Sequence, residues 1–365
     1  MLASLPDRSP PSPHQPPEPP QDARPLMALV TGLWASKTLA LAHELDLFTH
    51  LSGTAGITIE ACAAHYRIAH RPAEMLLTAC AALRLLERHG EHYGNTPLAE
   101  TYLVRGRPLY FGGWIAMADR REYPAWLHLK EALHSNRPLT WDPDRQASLF
   151  DGEDPALVAT FWEAMYALSI TTADVLADSV DLSGVTRLLD VGGGGGANDI
   201  ALCRRHSHLR ATVFDLPFVC ALTRPKIEQA GLSDRIDLAE GDFFADAALP
   251  DGHDAILLSK ILLDWKESDC LTILHKCFTA LPPGGQIVVT DLFVDDNKDG
   301  PVDAALMSLN MLIETWGRNY TAAEYRSWLA AVGFTGLQTI RFEAPAANGA
   351  VVGHKPETNT TFRVS

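Results

Sequence analysis

The first third of the chain carries apolar residues at helical spacing. One pattern begins at Leu26, and two more cover 58–66 and 72–86, with Pro72 suited to the first helical position. The polar residues 88–95 that follow can form a short β-hairpin. Helix, turn, helix and hairpin, in this order, are the outline of a winged helix.

The basic residues of this region decide between a DNA-binding and a packing role. A DNA-reading helix needs several basic side chains, whereas 72–86 offers only Arg84 against Glu74. We therefore interpret the N-terminal region as a helical packing or dimerisation domain. A DNA-binding regulator is the weaker alternative.

A further helical region, about 110–180, is rich in aromatic residues and contains a proline-bearing loop over 135–155. We expect most of these aromatic side chains in the core and some in a pocket for an organic ligand, because apolar and aromatic walls dominate such pockets.

From residue 186 the pattern changes to short apolar strands that alternate with helices. Strands alternating with helices predict an α/β fold with a mostly parallel, doubly wound sheet. The predicted strands are 187–191, 211–214, 235–239, 255–258, 286–292, 336–342 and 349–353, and the helices are 197–205, 218–230, 268–281 and 321–332.

Composition narrows the function classes. The 365 residues are 47% hydrophobic and have a formal net charge of -15, which disfavours a nucleic-acid partner. We find no uninterrupted apolar run of about 18 residues and no signal-peptide pattern, so we expect no membrane span. The six scattered cysteines predict buried, reduced thiols in a cytoplasmic protein, with no metal site.

A glycine-rich turn is the sharpest local signal. Residues 190–198 follow a strand and open a helix, so glycines without Cβ atoms and free helix amides can approach a ligand closely. Asp215 and Asp242 stand at the ends of the next two strands, with Phe243 beside Asp242, and ligands of open α/β sheets bind at such strand ends. A nucleoside-bearing cofactor is the inference. A turn without a ligand and a nicotinamide-dependent dehydrogenase are the alternatives.

Several motifs in order resemble one enzyme family, the S-adenosylmethionine-dependent small-molecule O-methyltransferases of the caffeate, hydroxyindole and bacterial antibiotic-tailoring types. The similarity covers about residues 25–355. The motifs that carry it are 188–192, 214–217, 241–244, 261–265, 281–285 and 308–314.

The resemblance implies a Rossmann-like class I methyltransferase sheet with an N-terminal all-α, winged-helix-like dimerisation domain. It implies S-adenosylmethionine as the cofactor, S-adenosylhomocysteine as its product and a homodimer. By motif position, the glycines border the methionine end, Asp215 holds the ribose, and Asp242 with Phe243 holds the adenine. The cofactor-binding residues implied are Asp190, Gly192, Gly194, Asp215, Leu216, Asp242, Phe243 and Ser259.

The chain is predicted to contain two domains and a tail at each end. A disordered, proline-rich tail covers 1–24, and a dimerisation and substrate-pocket domain covers 25–180. The methyltransferase domain that binds S-adenosylmethionine covers 181–357, with a tail over 358–365.

The catalytic region departs from the family pattern. Where many members have a histidine general base, this chain has Leu263, so its catalytic group is unassigned. Weak candidates are Asp264, which we expect in an exposed loop with a low pKa, Asp291 and Asn319. The candidate acceptor pocket consists of Trp126, Tyr166, Met307, Asn310, Met311 and Trp316.

The expected function is methylation of an acidic hydroxyl group on an aromatic or polyketide-like secondary metabolite, by proximity and orientation. The alternative is another reaction on the same fold, either decarboxylation, hydroxylation or pericyclic rearrangement, or C- or N-methylation. The expected partners are a small-molecule metabolite and a second copy of the chain.

Overall fold

A computed structural model describes residues 22–145 and 155–357. The predicted tails, apart from 22–24, and residues 146–154 of the proline-bearing loop lie outside these ranges. The chain divides into two compact units, Met1–Asp119 and Arg120–Ser365.

The first unit contains the predicted helices and hairpin. Thr58 caps the fourth helix by accepting a hydrogen bond from the Ala61 amide, and the hairpin pairs Leu86 with Asn95. The fifth helix begins at His70, not at Pro72, so Pro72 occupies the third helical position. The elements are α1 (Arg24–Val30), α2 (Gly32–Glu44), α3 (Leu47–Leu51), α4 (Ile59–Tyr66), α5 (His70–Ala82), β1 (Leu86–His89), β2 (His92–Asn95), α6 (Pro97–Tyr102) and α7 (Gly112–Met117).

One helical stretch of the described chain, Arg24–Glu44, is long and apolar enough to cross a membrane by length and composition alone. The expectation from the sequence concerned uninterrupted apolar runs, and this stretch is not one, because Lys37 interrupts it. Many of its apolar side chains are exposed, namely Leu26, Met27, Leu29, Val30, Leu33, Trp34 and Leu41.

The second unit is built on a mixed sheet. Its described strands are β3 (Arg187–Val191), β4 (Arg210–Asp215), β5 (Ile236–Glu240), β6 (Ala255–Ser259), β7 (Gln286–Asp291), β8 (Thr335–Ala344) and β9 (Ala347–His354). They lie in the order β5-β4-β3-β6-β7-β9-β8. Strands β3 to β7 are parallel, whereas β9 runs antiparallel to β7 and to β8. The predicted α/β fold is confirmed, and the carboxyl ends of the parallel strands share one edge.

Helices accompany this sheet: α8 (Tyr123–Trp126), α9 (Leu129–Ser135), α10 (Pro155–Ser179), α11 (Ala197–Arg205), α12 (Pro217–Ala230), α13 (Glu267–Ala280), α14 (Val302–Glu314) and α15 (Ala322–Val332). Helix α10 packs into the core of the second unit, because Ala173, Leu176 and Ala177 form one buried cluster with sheet residues such as Leu188. The boundary between the two compact units lies before α8, between Asp119 and Arg120. The boundary predicted from the sequence lies after residue 180.

Candidate functional site

The glycine turn connects β3 to α11. Gly192, Gly194 and Gly196 have φ angles of 73°, 55° and 71°, a region that L side chains rarely adopt. A Cβ atom at Gly192 would lie 2.5 Å from Ile261 Cδ1, and one at Gly195 would lie 2.5 Å from Tyr166 Cδ2. The turn therefore needs glycine for its backbone conformation and for the close approach of its neighbours.

Asp215 ends β4 beside this turn. Its Oδ2 accepts a hydrogen bond from the Gly194 amide at 2.8 Å, and its Oδ1 accepts one from the Leu216 amide at 2.7 Å. Burial raises the pKa of Asp215 to about 6, and the two amides oppose the rise. Each carboxylate oxygen retains accepting capacity, so the group can still bind the two hydroxyls of a ribose.

Asp242 and Phe243 follow β5 at the same sheet edge. Asp242 Oδ1 accepts from the Phe244 amide at 2.7 Å and from the Ala245 amide at 3.2 Å, which fixes the turn. A Cβ atom at Gly192 would lie 3.7 Å from Phe243 Cε1, so this aromatic ring is next to the glycine turn. The structure thus brings the predicted ribose and adenine residues together around the turn.

Lys260 belongs to this edge and was not found from the sequence. It follows the half-buried Ser259 at the end of β6, and its φ angle is 56°. Its Nζ is buried and has no hydrogen-bond partner among the described residues. Burial lowers the pKa of Lys260 to about 8, although Asp291 and Asp190 oppose this. The sequence feature that could have identified Lys260 is a basic residue directly after a predicted parallel strand.

Leu263, at the family's histidine position, lies in a short helical turn over Leu262–Asp264 and is 7% exposed. Gly317 packs against the carbonyl oxygen of Leu263 so closely that a Cβ atom there would overlap it. Asp264 is half-buried, and burial raises its pKa well above the usual value, with Asp291 and Glu314 adding to the rise. The expectation of an exposed Asp264 with a low pKa is therefore wrong.

The other two weak candidates, Asp291 and Asn319, are buried. The Tyr325 hydroxyl donates to Asp291 Oδ2 at 2.6 Å, and burial raises the pKa of Asp291 to about 6. Asn319 Nδ2 donates to the Leu292 carbonyl at 2.7 Å, while its buried Oδ1 has no partner within the described ranges. Both side chains hold the backbone of Leu292, because Asp291 Oδ1 accepts from its amide and Asn319 donates to its carbonyl.

Two members of the predicted acceptor pocket meet directly. Trp126 Nε1 donates to Asn310 Oδ1 at 2.6 Å, and Asn310 Nδ2 donates to Glu122 Oε1 at 3.1 Å. Met311 is the next buried residue of α14. Tyr166 lies elsewhere, against Gly195 of the glycine turn, with the Lys226 ammonium 4.0 Å from its ring centre.

The remaining two pocket candidates are separate from this pair. Met307 packs against the cluster of Leu292 and Val294, whereas Trp316 is exposed.

Buried acidic residues accompany Asn310. Burial is the main cause that raises the pKa of Glu122 to about 7, and the negative charge of the nearby Glu314 adds to the rise. Glu314 forms an ion pair with Arg121 at 3.1 Å and accepts from the Thr140 hydroxyl at 3.0 Å. The sequence analysis did not identify Glu122, because in sequence it does not differ from any other charged residue on a helix.

Comparisons with known proteins agree over nearly the whole chain. The family model of the O-methyltransferase domain matches residues 126–335, and that of the O-methyltransferase dimerisation domain matches residues 27–105. The chain is 51% identical over 331 residues to 3-hydroxy-5-methyl-1-naphthoate 3-O-methyltransferase of Streptomyces sahachiroi, which covers 90% of the chain and 94% of the relative.

A more distant relative is the tetracenomycin polyketide synthesis 8-O-methyl transferase of Streptomyces glaucescens, 35% identical over 91% of the chain and 96% of the relative. Among solved structures, human N-acetylserotonin methyltransferase in complex with S-adenosylmethionine aligns with a TM-score of 0.83 at 28% identity, over 94% of this chain and 100% of that one.

Proposed function

The chain belongs to the S-adenosylmethionine-dependent O-methyltransferases, and from this premise we propose that its acceptor is an acidic hydroxyl group on a fused aromatic or polyketide-like metabolite. The observation that carries this acceptor class is the buried Leu263 at the position where the family has a histidine base. The 51% identity to an enzyme named for a hydroxynaphthoate supports it.

The residues at the sheet edge fit the cofactor. A side chain at Gly192 or Gly195 would fill the turn, and the Asp190 oxygens and Lys260 Nζ are buried polar atoms without a partner in the described chain. We assign Asp190, Gly192 and Gly194 to the methionine end, and Ser259 and Lys260 to the same edge. Asp215 and Leu216 are assigned to the ribose, and Asp242 and Phe243 to the adenine. The bound cofactor supplies an electrophilic methyl group on a sulfonium.

Orientation replaces the general base in this mechanism. Holding a nucleophile at a near-attack distance contributes roughly 7–11 kcal/mol, whereas a general base contributes about 10²–10⁴-fold, or about 3–5 kcal/mol. An acceptor that ionises unaided therefore reacts without an imidazole. Leu263 places an apolar side chain there, and burial raises the pKa of the neighbouring Asp264 well above its usual value.

The acceptor side is assigned to Trp126, Asn310 and Met311. The hydrogen bonds from Trp126 to Asn310 and from Asn310 to Glu122 fix the orientation of the Asn310 amide. A fixed amide and an indole ring present one polar and one flat apolar surface, which suits a fused aromatic acceptor that carries a few polar groups.

Assembly and location complete the proposal. The exposed apolar side chains of α1 and α2 lie in the segment that the dimerisation model matches, and a second copy of the chain would cover them. We therefore propose a homodimer. We also propose a cytoplasmic location, since all six cysteines are buried free thiols.

The test is product analysis. The full-length protein is incubated with S-adenosylmethionine and 3-hydroxy-1-naphthoate, and the masses of the products are measured by mass spectrometry. We expect a gain of one methyl group on the acceptor and an equal amount of S-adenosylhomocysteine. The 3-methoxy compound, whose oxygen is blocked, is the matched control and should give neither product. Methylation at carbon, or of the blocked control, would contradict the proposal.

A further inference from the structure

One lysine ammonium on α13 holds the loop that follows β5. Lys276 Nζ donates hydrogen bonds to the carbonyl oxygens of Phe243 at 2.7 Å, Phe244 at 3.2 Å and Asp246 at 2.6 Å. A lysine ammonium has three N–H donors and no acceptor, so these three carbonyls take all of its hydrogens. Lys276 therefore binds the loop and keeps no donor for a ligand.

The amides of this 242–246 loop are bonded within the loop itself. Asp242 Oδ1 accepts from the amides of Phe244 and Ala245. Asp246 Oδ2 accepts from the Asp242 amide at 3.0 Å, and the Asp246 amide donates to the Asp242 carbonyl at 2.8 Å. The loop thus closes on its own amides, whereas Lys276 binds the three outward carbonyls from α13.

Burial contributes little to the shape of the loop. Phe244, Ala245 and Asp246 are exposed, and exposed segments held by hydrogen bonds are those that open most readily. Hydrogen bonds from a charged donor are stronger than neutral ones, so the ammonium stabilises the closed loop. The shape of the loop sets where its rings lie: the centres of Phe243 and Phe244 are 6.0 and 4.6 Å from that of Trp265.

We propose that Lys276 is a positioning residue for adenine recognition. The loop that it holds begins with Asp242 and Phe243, the two residues that we assign to the adenine. While the carbonyls are bound to the ammonium, Asp242 Oδ1 is occupied by the loop amides and Oδ2 is left to accept from the amino group of the base. This inference rests on the cofactor assignment made above.

A second ligand separates positioning from a general loss of stability. S-inosylhomocysteine differs from S-adenosylhomocysteine only in the base, in which a carbonyl group replaces the amino group. A carboxylate oxygen accepts hydrogen bonds, so a correctly held Asp242 favours the amino group over the carbonyl. The preference for S-adenosylhomocysteine therefore reports on the position of Asp242, whereas a general loss of stability lowers both affinities alike.

The experiment is calorimetric titration of the full-length protein with both ligands. We expect the wild type to bind S-adenosylhomocysteine at least tenfold more tightly than S-inosylhomocysteine. Lys276→Met removes the ammonium and should lose at least tenfold in affinity for the first ligand and less than threefold for the second.

Lys355→Met is the matched control. Lys355 Nζ donates to the carbonyls of Phe278 and Leu281 at the end of the same helix, at 2.7 and 2.6 Å, and to no carbonyl of the 242–246 loop in the described chain. This variant also loses an ammonium that binds backbone carbonyls, so it should be less stable and should keep the wild-type preference between the ligands.

Chemical rescue tests the ammonium itself. Lys276→Cys, alkylated with 2-bromoethylamine, regains an ammonium on a side chain of the same length, in which sulfur replaces one methylene. The native cysteines are buried free thiols, so the reagent modifies the introduced thiol. The preference should be small before alkylation and return to within threefold of the wild-type value afterwards.

An unchanged preference in Lys276→Met, or an equal loss of preference in Lys355→Met, would overturn the inference. If Lys276→Met does not fold, Lys276→Cys decides in its place, and equal preferences before and after alkylation would overturn the inference. In each of these outcomes the cofactor assignment survives, because S-adenosylhomocysteine still binds. Absence of wild-type binding to S-adenosylhomocysteine would contradict both, and a wild type with no preference would contradict the adenine assignment together with the inference.

Discussion

Gly317 lies against the carbonyl oxygen of Leu263, so that these two residues, 54 positions apart (317 − 263), pack backbone to backbone. A Cβ atom at Gly317 would also lie 2.5 Å from the Trp265 amide nitrogen. The shape of the turn that replaces the family's histidine segment therefore depends on a glycine far along the chain.

Replacing this glycine tests the contact. Gly317→Ala forces the backbone apart, and overpacking of this kind costs about 1–3 kcal/mol. We expect a lower free energy of unfolding in urea and a methyl-transfer rate reduced at least tenfold. Gly184→Ala is the matched control, because nothing lies within 4 Å of a Cβ atom there. Equal unfolding curves for Gly317→Ala and the control would refute the contact.

The Asp215 carboxyl should determine cofactor affinity. Asp215→Ala removes the proposed ribose contacts, and hydrogen bonds to a charged group contribute about 1.5–3 kcal/mol each. We expect the affinity for S-adenosylhomocysteine to fall at least tenfold in calorimetry. Asp237→Ala, on the exposed face of the neighbouring β5, should bind like the wild type. Undiminished binding by Asp215→Ala would exclude this residue from the cofactor site.

Asp291 should make stability depend on pH. Its pKa is raised from 3.8 to about 6 in the folded chain, so the folded state binds more protons than the unfolded state between these values. The free energy of unfolding should therefore decrease as pH rises from about 4 to 6, by about 2–3 kcal/mol from this group, and then level off.

The variant Asp291→Asn keeps an oxygen for the Tyr325 hydroxyl but does not titrate. In urea unfolding, the free energy of unfolding of this variant minus that of the wild type should increase between pH 4 and 6 and stay constant above that range. A stability difference that is the same at every pH would show that Asp291 does not cause this pH dependence.

The exposed face of α1 and α2 should hold two chains together. Trp34 is 66% exposed and Leu29 is 68% exposed, and an obligate interface of this type buries above roughly 2,000 Å². Light scattering at micromolar concentration should give twice the chain mass of 39.8 kDa, and Trp34→Glu should give the single mass. The control Leu222→Glu, on α12, should remain dimeric. A wild-type mass near one chain would contradict the homodimer.

Much of the sheet could be predicted because its signals are local. Residues 187–191 and 197–205 form the predicted strand and helix, since the apolar run and the glycines that follow determine both ends. The start of α5 was misplaced because Pro72 is tolerated anywhere in a first helical turn, and the extended Ala69 precedes a helix that begins at His70.

The buried polar residues could not be predicted in the same way. Asp264 looks exposed in sequence and is half-buried because Gly317 and the segment after α14 close over its turn. Glu122 acquires its environment from Asn310, 188 residues away. Burial of a charged side chain depends on such distant partners, and a pattern of neighbouring residues does not contain them.

Methyl transfer should proceed without an enzyme base and depend on the ionisation of the acceptor. The direct test is the single-turnover rate as a function of pH for a series of ring-substituted hydroxynaphthoates whose hydroxyl pKa values differ. We expect the midpoint of each profile to move with the acceptor's pKa. A midpoint that stays at one pH for every acceptor would show that a group of the enzyme takes the proton, and would contradict methyl transfer without an enzyme base.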